Sequence, residues 1–311
     1  MPELAPSAGP EAEPRPPDAP DATSAEAAVD VEELVARYGL HRAGARLPIV
    51  AYTRQLWQRR HFITAFSTAS NAVGYSRSFL GQAWQLLTPL LSVGVYYLVF
   101  GVLLSTRRGV HNFIGFLAVG IFVFGFCSAS VMSGARAITG NLALTRALHF
   151  PRAVLPISTT LVALQQLLYS MIILGPIVLI TGEPLSWRWL ELVPGLALQS
   201  MFCLGLAFIL ARIGAKVPDT SQLLPFAIRV WLYTSGILYS VKVFAKGHGQ
   251  WVKDALQINP GAVFVNLDRH ALLTHNPVST FDWGLGIAWG VGMLAVGYVI
   301  FWQGEEEYGR V

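Results

Sequence analysis

The stretch Arg77-Ser-Phe-Leu-Gly-Gln-Ala-Trp-Gln-Leu-Leu-Thr-Pro89 decides how this chain is read. It stands where a basic, amphipathic segment meets the first long apolar run, Trp84 to Leu104. Arg77 marks a basic membrane lip. Gly81 lets backbone approach closely. Trp84 suits the headgroup zone, where an indole keeps one wet edge and one apolar body. Pro89 falls in the first turns of a spanning helix, where its missing N–H costs least, although this far in it can also kink the helix.

The composition outward from this stretch agrees. Of 311 residues, 53% are hydrophobic and 13% charged, against about 25% charged in a soluble domain. The apolar residues come in blocks, and crossing the hydrocarbon takes about 20 in a row. Six windows qualify: 84–104, 113–135, 153–182, 189–211, 221–243 and 283–303. The sequence therefore predicts an all-α, polytopic membrane protein with six transmembrane helices. Glu191 and Lys242 sit near window ends, within reach of water. Arg229 lies well inside the fifth window. The formal net charge of +4 becomes a matter of topology, and nucleic acid is not the implied partner. Cys127 and Cys203 lie inside apolar windows and read as small core residues, with neither a disulfide framework nor metal-ligand spacing.

Upstream, residues 1–46 read as a disordered acidic tail followed by a short linker helix, because so few apolar residues cannot offset ordering entropy. Residues 47–83 read as an interfacial amphipathic helix and its approach to the membrane. Ile49, Tyr52, Leu56, Ile63 and Phe66 recur at roughly helical spacing, with Arg54, Arg59 and Arg60 on other faces. Residues 84–311 form the spanning domain. Arg54, Arg59, Arg60 and Arg77 flank the first span, which places the N-terminus in the cytoplasm. An even number of spans returns the C-terminus there. Glu305, Glu306 and Glu307 then read as a solvated tail.

Two connections stand out. Residues 136–152 are half apolar. Leu142, Leu144 and Leu148 suit one sticky face of a short helix capped by Asn141. Residues 244–282 are long and partly apolar, and Asn259-Pro260-Gly261 breaks them in the middle. Two short re-entrant helices dipping into the outer leaflet fit, provided protein covers their irregular backbone. Gly286-Ile-Ala-Trp-Gly290 permits close helix packing.

Several motifs together resemble the membrane subunit of ABC-2 type polysaccharide exporters, the Wzm-like and TagG-like permeases. They are Arg77-x-x-x-Gly81-x-x-Trp84-x-x-x-x-Pro89, Asn141-Leu-Ala-Leu144, Phe150-Pro-Arg-Ala-Val-Leu-Pro156, Asp219, Asn259-Pro260 and Arg269. The likeness covers roughly residues 47–311 and departs from the family at Val217-Pro218-Asp219, where an Arg-Asp pair is usual. The nearest likeness is to exporters of lipid-linked glycans, including O-antigen and the cell-wall galactan of mycobacteria. The resemblance implies a homodimer in the inner (cytoplasmic) membrane. Each copy would dock one cytoplasmic Wzt-like ATPase, giving two ATPases that bring ATP and Mg. The chain itself would carry no cofactor, no metal and no catalytic residue.

The residues support a borrowed motor. No G-x-x-x-x-G-K-[ST] cradle is present, and no window has a carboxylate at its middle. Tyr96, Tyr97 and Phe100 lie in the first window, and Phe226, Trp231, Tyr233 and Tyr239 in the fifth. Two readings stand for them: ordinary packing, or a channel wall on which sugar rings stack. Arg229 either meets the pyrophosphate of a lipid carrier or pairs with backbone carbonyls. For ATPase coupling the expected residues are Arg59, Arg60, Asn141, Leu142, Leu144, Arg146, His149 and Arg152, an apolar ridge flanked by base. Alternatives are an ABC-2 exporter of a drug or lipid, and a membrane glycosyltransferase. The latter needs a catalytic acid on an outer loop, where Asp254, Asp268, Asp282 and Glu183 are available.

Overall fold

A computed structural model describes residues 47–75, 79–104, 110–147, 150–241 and 250–309. Every regular element among them is helical. The acidic tail 1–46, Arg77, Arg107, Arg108, Leu148, His149, Lys242, Lys246 and Arg310 lie outside the described residues, as does the side chain of Arg146.

The amphipathic segment is two helices, α1 (Ile49–Gln58) and α2 (Arg60–Tyr75). Tyr52 and Ile63 are buried, and Ile49, Leu56 and Phe66 are half-buried. That is the face the spacing marks. On α2 the inward stripe continues through the polar, buried Ser67 and Asn71. Trp57 remains exposed, with the Arg60 guanidinium 5.5 Å from its ring centroid.

Gly81 takes φ 50°, a left-handed conformation that costs other residues a Cβ clash. It opens a 3₁₀ turn (Gly81–Ala83) into α3 (Trp84–Tyr96), which runs on as a π-helical stretch, Tyr97–Leu103. Pro89 lies inside α3 and cannot donate to the Gln85 carbonyl one turn back. The Ser170 hydroxyl donates to that carbonyl instead, at 3.2 Å. A neighbouring helix thus supplies the bond that proline withholds, as hydrocarbon surroundings demand.

Helix α4 (Phe113–Ala135) is the axis of the bundle and is buried along most of its length. Asn112 caps it, accepting from the Gly115 N–H at 2.9 Å. After a short α5 (Leu142–Ala147), α6 (Val154–Ile180) and α7 (Leu192–Lys216) pack on α4. The last long helix is α11 (Thr280–Gln303), opened by a Ser279–Asp282 capping box. It packs on α7 through ring contacts such as Phe208 with Phe301 and, between them, through glycines that bring backbone to backbone. A Cβ on Gly290 would meet the Leu198 carbonyl at 2.8 Å, and one on Gly205 or Gly297 would strike the facing backbone. Small residues allow this approach, and dispersion rewards it. We call the end carrying α1 the near end and the opposite end the far end.

Among the described residues, five helices are long and apolar enough to cross a membrane: Gly81–Leu103, Phe113–Ala135, Val154–Ile180, Trp187–Lys216 and Thr280–Gln303. The expected window 221–243 differs. It yields α8 (Thr220–Thr234), whose 15 residues span about 22 Å at 1.5 Å per residue. The helix ends at Ser235, and Gly236 follows at φ 61°. Hydropathy alone could not see this, because the residues after the break are also apolar and are buried: Ile237 and Leu238. The long connection holds α9 (Gln250–Ile258) and α10 (Pro260–Leu272), with Asn259 as N-cap and Pro260 in the first turn of α10. Helix α10 packs on α4, α7 and α11.

Candidate functional site

Three places gather the chemistry. The first is an outward face shared by α3 and α8. On α8, Phe226 is 66% exposed and Tyr233 46% exposed. Arg229, one turn from each, is exposed as well. It is therefore not the enclosed cation its place inside an apolar window implied: its side chain leaves the bundle. Tyr96 on α3 is half-buried and lies within electrostatic reach of both Tyr233 and Arg229. Its ring stands 6.3 Å from Phe100. Tyr97 turns the other way, 6.4 Å from Phe113. Trp231 also turns inward. It meets Phe124 edge-on at 5.4 Å, and its indole N–H donates to the Asn259 side chain at 2.8 Å. Tyr239 lies beyond the break and is half-buried. The structure thus brings Tyr96, Phe226, Arg229 and Tyr233 to one face and gives Trp231 a bracing position.

The second place is the far-end break. Arg269 is fully enclosed. It donates to the carbonyls of Phe116 (3.1 Å), Gly236 (3.0 Å) and Ile237 (2.9 Å), and its guanidinium lies 3.3 Å from the Phe116 ring centroid. Asn259 serves the same segment, donating to the Thr234 carbonyl at 3.1 Å. Carbonyls left by the end of α8 are thereby satisfied without water. Gly120 makes room, since a Cβ there would sit 2.6 Å from the guanidinium. In the sequence Arg269 falls within the long 244–282 connection and is singled out only by the family resemblance. The available signal was its setting, Ala-Val-Phe-Val-Asn-Leu-Asp-Arg-His-Ala-Leu-Leu, in which polar residues interrupt an apolar run. Close by, the buried Glu183 accepts from the Thr274 amide (2.8 Å) and hydroxyl (2.7 Å) and from Asn112 (3.3 Å). Burial works to raise its pKa, but these donors and His275 hold it below the ordinary carboxylate value.

The third place is the near-end junction, and it corrects the reading of a solvated tail at Glu305, while Glu306 and Glu307 are exposed. Glu305 is buried. Its Oε2 accepts from the Tyr52 hydroxyl at 2.7 Å and its Oε1 from the Arg152 amide at 2.9 Å. The Arg152 guanidinium donates to the Glu305 carbonyl, and the Ala153 amide donates to the Tyr52 hydroxyl at 3.1 Å. Burial pushes the Glu305 carboxyl above the ordinary range, while Arg152 and Tyr52 pull it back. Glu307 pairs with Lys216 at 2.7 Å. The cause is a turn after Gln303 that folds the chain back under the bundle: Tyr308 stacks on Phe301 at 4.7 Å and its hydroxyl donates to the Phe301 carbonyl.

Of the expected coupling residues, Arg59 and Arg60 are exposed, while Leu142 and Leu144 are half-buried. Leu144 packs on the near-end apolar cluster that includes Ile138 and Phe208. Asn141 ends the 3₁₀ turn just before α5, and its side-chain N–H₂ donates back to the Ala137 carbonyl at 2.9 Å. Arg152 is tied to Glu305. At the membrane approach, Gly81 and Trp84 are partly exposed. Pro89 borders a cavity of about 250 Å³ lined also by Trp84, Gln85, Phe122, Gln166 and Ser170.

Residues 63–273 match the model of the family described as ABC-2 type transporter. The chain belongs to that family. Among curated relatives of this ABC-2 transporter chain, the O-antigen export system permease protein RfbA of Myxococcus xanthus is 28% identical over 191 residues, covering 61% of this chain and 73% of that protein. The protein of the same name from Klebsiella pneumoniae is 24% identical over 169 residues, 54% of this chain and 64% of that one. The chain spans about two thirds of the length of these relatives. The residues matched by the family model take in the α3–α8 face and Arg269, and of the near-end junction they include Arg152 but neither Tyr52 nor Glu305.

Proposed function

We propose that the chain is the membrane subunit of an ABC exporter that moves a lipid-linked polysaccharide, an O-antigen-like glycan or a cell-wall galactan, outward across the inner membrane. Two copies work side by side with two Wzt-like ATPase subunits, which bind the ATP and Mg. The near end is cytoplasmic. The exposed α3–α8 face carries the reading: aromatic rings and one cation are turned away from the bundle. Sugar rings stack on such aromatic faces, and many weak contacts let a long chain slide. Arg229 has no anion beside it among the described residues and is free to meet the phosphates of the carrier. The names of the relatives support the same cargo class.

Two of the carboxylates a glycosyltransferase would need have other employment: Asp282 caps α11 and Glu183 ties loops. Asp268 is fully enclosed, with no route for a substrate to reach it.

The deciding experiment uses inverted membrane vesicles containing the chain and its ATPase, with radiolabelled lipid-linked glycan on the ATPase side. ATP-dependent transfer into the lumen is expected. Transfer without ATP, driven by an ion gradient, overturns the reading. Arg229→Ala is expected to slow transfer and Arg229→Lys to restore part of it, and normal rates in both remove the role given to Arg229.

A further inference from the structure

Resting on the reading that a separate ATPase drives this chain, we infer that Tyr52 and Glu305 are positioning residues that carry motion of the near-end loop to the last spanning helix. The geometry is a relay through three segments remote in sequence. The Ala153 amide donates to the Tyr52 hydroxyl, which donates to the Glu305 carboxylate, which also accepts from the Arg152 amide. One end of this relay is the exit of the 136–152 connection. The other is the turn closing α11. The middle is α1.

Each part is enclosed. Tyr52 is 1% exposed on a helix whose other side chains are half-buried or exposed, and Glu305 is 8% exposed. Amphipathic packing needs only the ring of residue 52, because a phenylalanine would fill the same space. The hydroxyl is the part that links Ala153 to Glu305. It is also polar, and burying it costs free energy unless both of its bonds are made.

What lies beyond Glu305 makes the relay useful. The C-terminal turn is fastened to the end of α7 by Lys216–Glu307, and the Arg212 guanidinium ties α7 to α11 by donating to the Ile300 carbonyl. Helices α7 and α11 also meet backbone to backbone through Gly205, Gly290 and Gly297. A displacement at Arg152–Ala153 is therefore handed to a rigid pair of spanning helices. Without the relay the loop would hold the turn only through the Arg152 guanidinium and the Glu305 backbone carbonyl.

The test uses the whole chain co-purified with its ATPase in proteoliposomes, loaded with labelled lipid-linked glycan. Tyr52→Phe is the leading variant because it keeps the ring; Glu305→Gln is the second. Three quantities are read: ATPase retained on purification, ATP hydrolysed, and glycan moved per ATP. A purely structural role lowers the first. The relay predicts that retention and basal hydrolysis stay within about twofold while glycan moved per ATP falls about tenfold or more, the scale of a lost buried charge-assisted bond. Unchanged glycan per ATP in both variants overturns the inference. So does loss of ATPase retention in Tyr52→Phe, which would make the hydroxyl a folding contact. Failure of the wild type to move glycan with ATP is a separate outcome, and would count against the exporter reading itself.

Discussion

Helices α7 and α11 differ from α3 and α8 in what they show their surroundings. The first pair hides glycine: Gly205, Gly290 and Gly297 sit where any side chain would meet backbone. The second pair displays bulk: Phe226 and Tyr233 project from α8, and Tyr96 joins them from α3. In hydrocarbon there is no hydrophobic reward for bringing helices together, so tight association marks what must not move relative to its neighbour. Exposed rings that a lone protomer leaves uncovered mark what meets something else. On the proposed function, one pair is scaffold and the other is working surface.

This contrast can be broken in four ways, from large effect to small. Gly297→Leu is expected to prevent recovery of folded protein, because backbone cannot yield as a side chain can, and overpacking costs more than about 3 kcal/mol here. Recovery after mild detergent extraction checks it. Arg269→Ala leaves three carbonyls without their donor, and a loss of about 3 kcal/mol or more is expected. Tryptophan-fluorescence melting checks it, with Arg269→Lys intermediate, since one ammonium cannot reach all three.

Phe226→Ala together with Tyr233→Ala is expected to change stability by less than about 1 kcal/mol, as for exposed sites, and yet to slow glycan transfer severalfold. A large drop in melting temperature would move these rings from working surface to scaffold. The smallest effect is Glu183→Gln. The folded-state pKa of Glu183 lies below its ordinary 4.5, so its contribution is full above that value and fades as pH falls through the folded pKa. Wild-type melting temperature should decline on acidification below pH 4.5, and the variant should decline less.

The scaffold was more legible in the sequence than the working surface, for reasons of period. Ile49, Tyr52, Leu56, Ile63 and Phe66 announce a helix face through spacing alone, and that face packs. The aromatic set on α3 and α8 could be located but not sorted. Tyr233 and Trp231 are two residues apart, hence on different sides of a helix, yet which side faces the core depends on neighbours distant in sequence. The break after Thr234 was illegible because Gly236 is one of many glycines, and apolar residues resume at once. Glu305 was misread for a related reason. A carboxylate just past a membrane helix is ordinarily wet, and only the return of Tyr308 onto Phe301 encloses it. Its partners, Tyr52 and Arg152, lie 253 and 153 residues away.

Because α8 stops at Thr234, its helical barrier is roughly 8 Å thinner than a hydrocarbon slab of about 30 Å. On the proposed function, a cargo passing along that flank would meet, inside the slab, the end of a helix in place of a full-length one. The turn at Ser235–Gly236 would then bring peptide groups to a depth that the longer helices fill with apolar side chains.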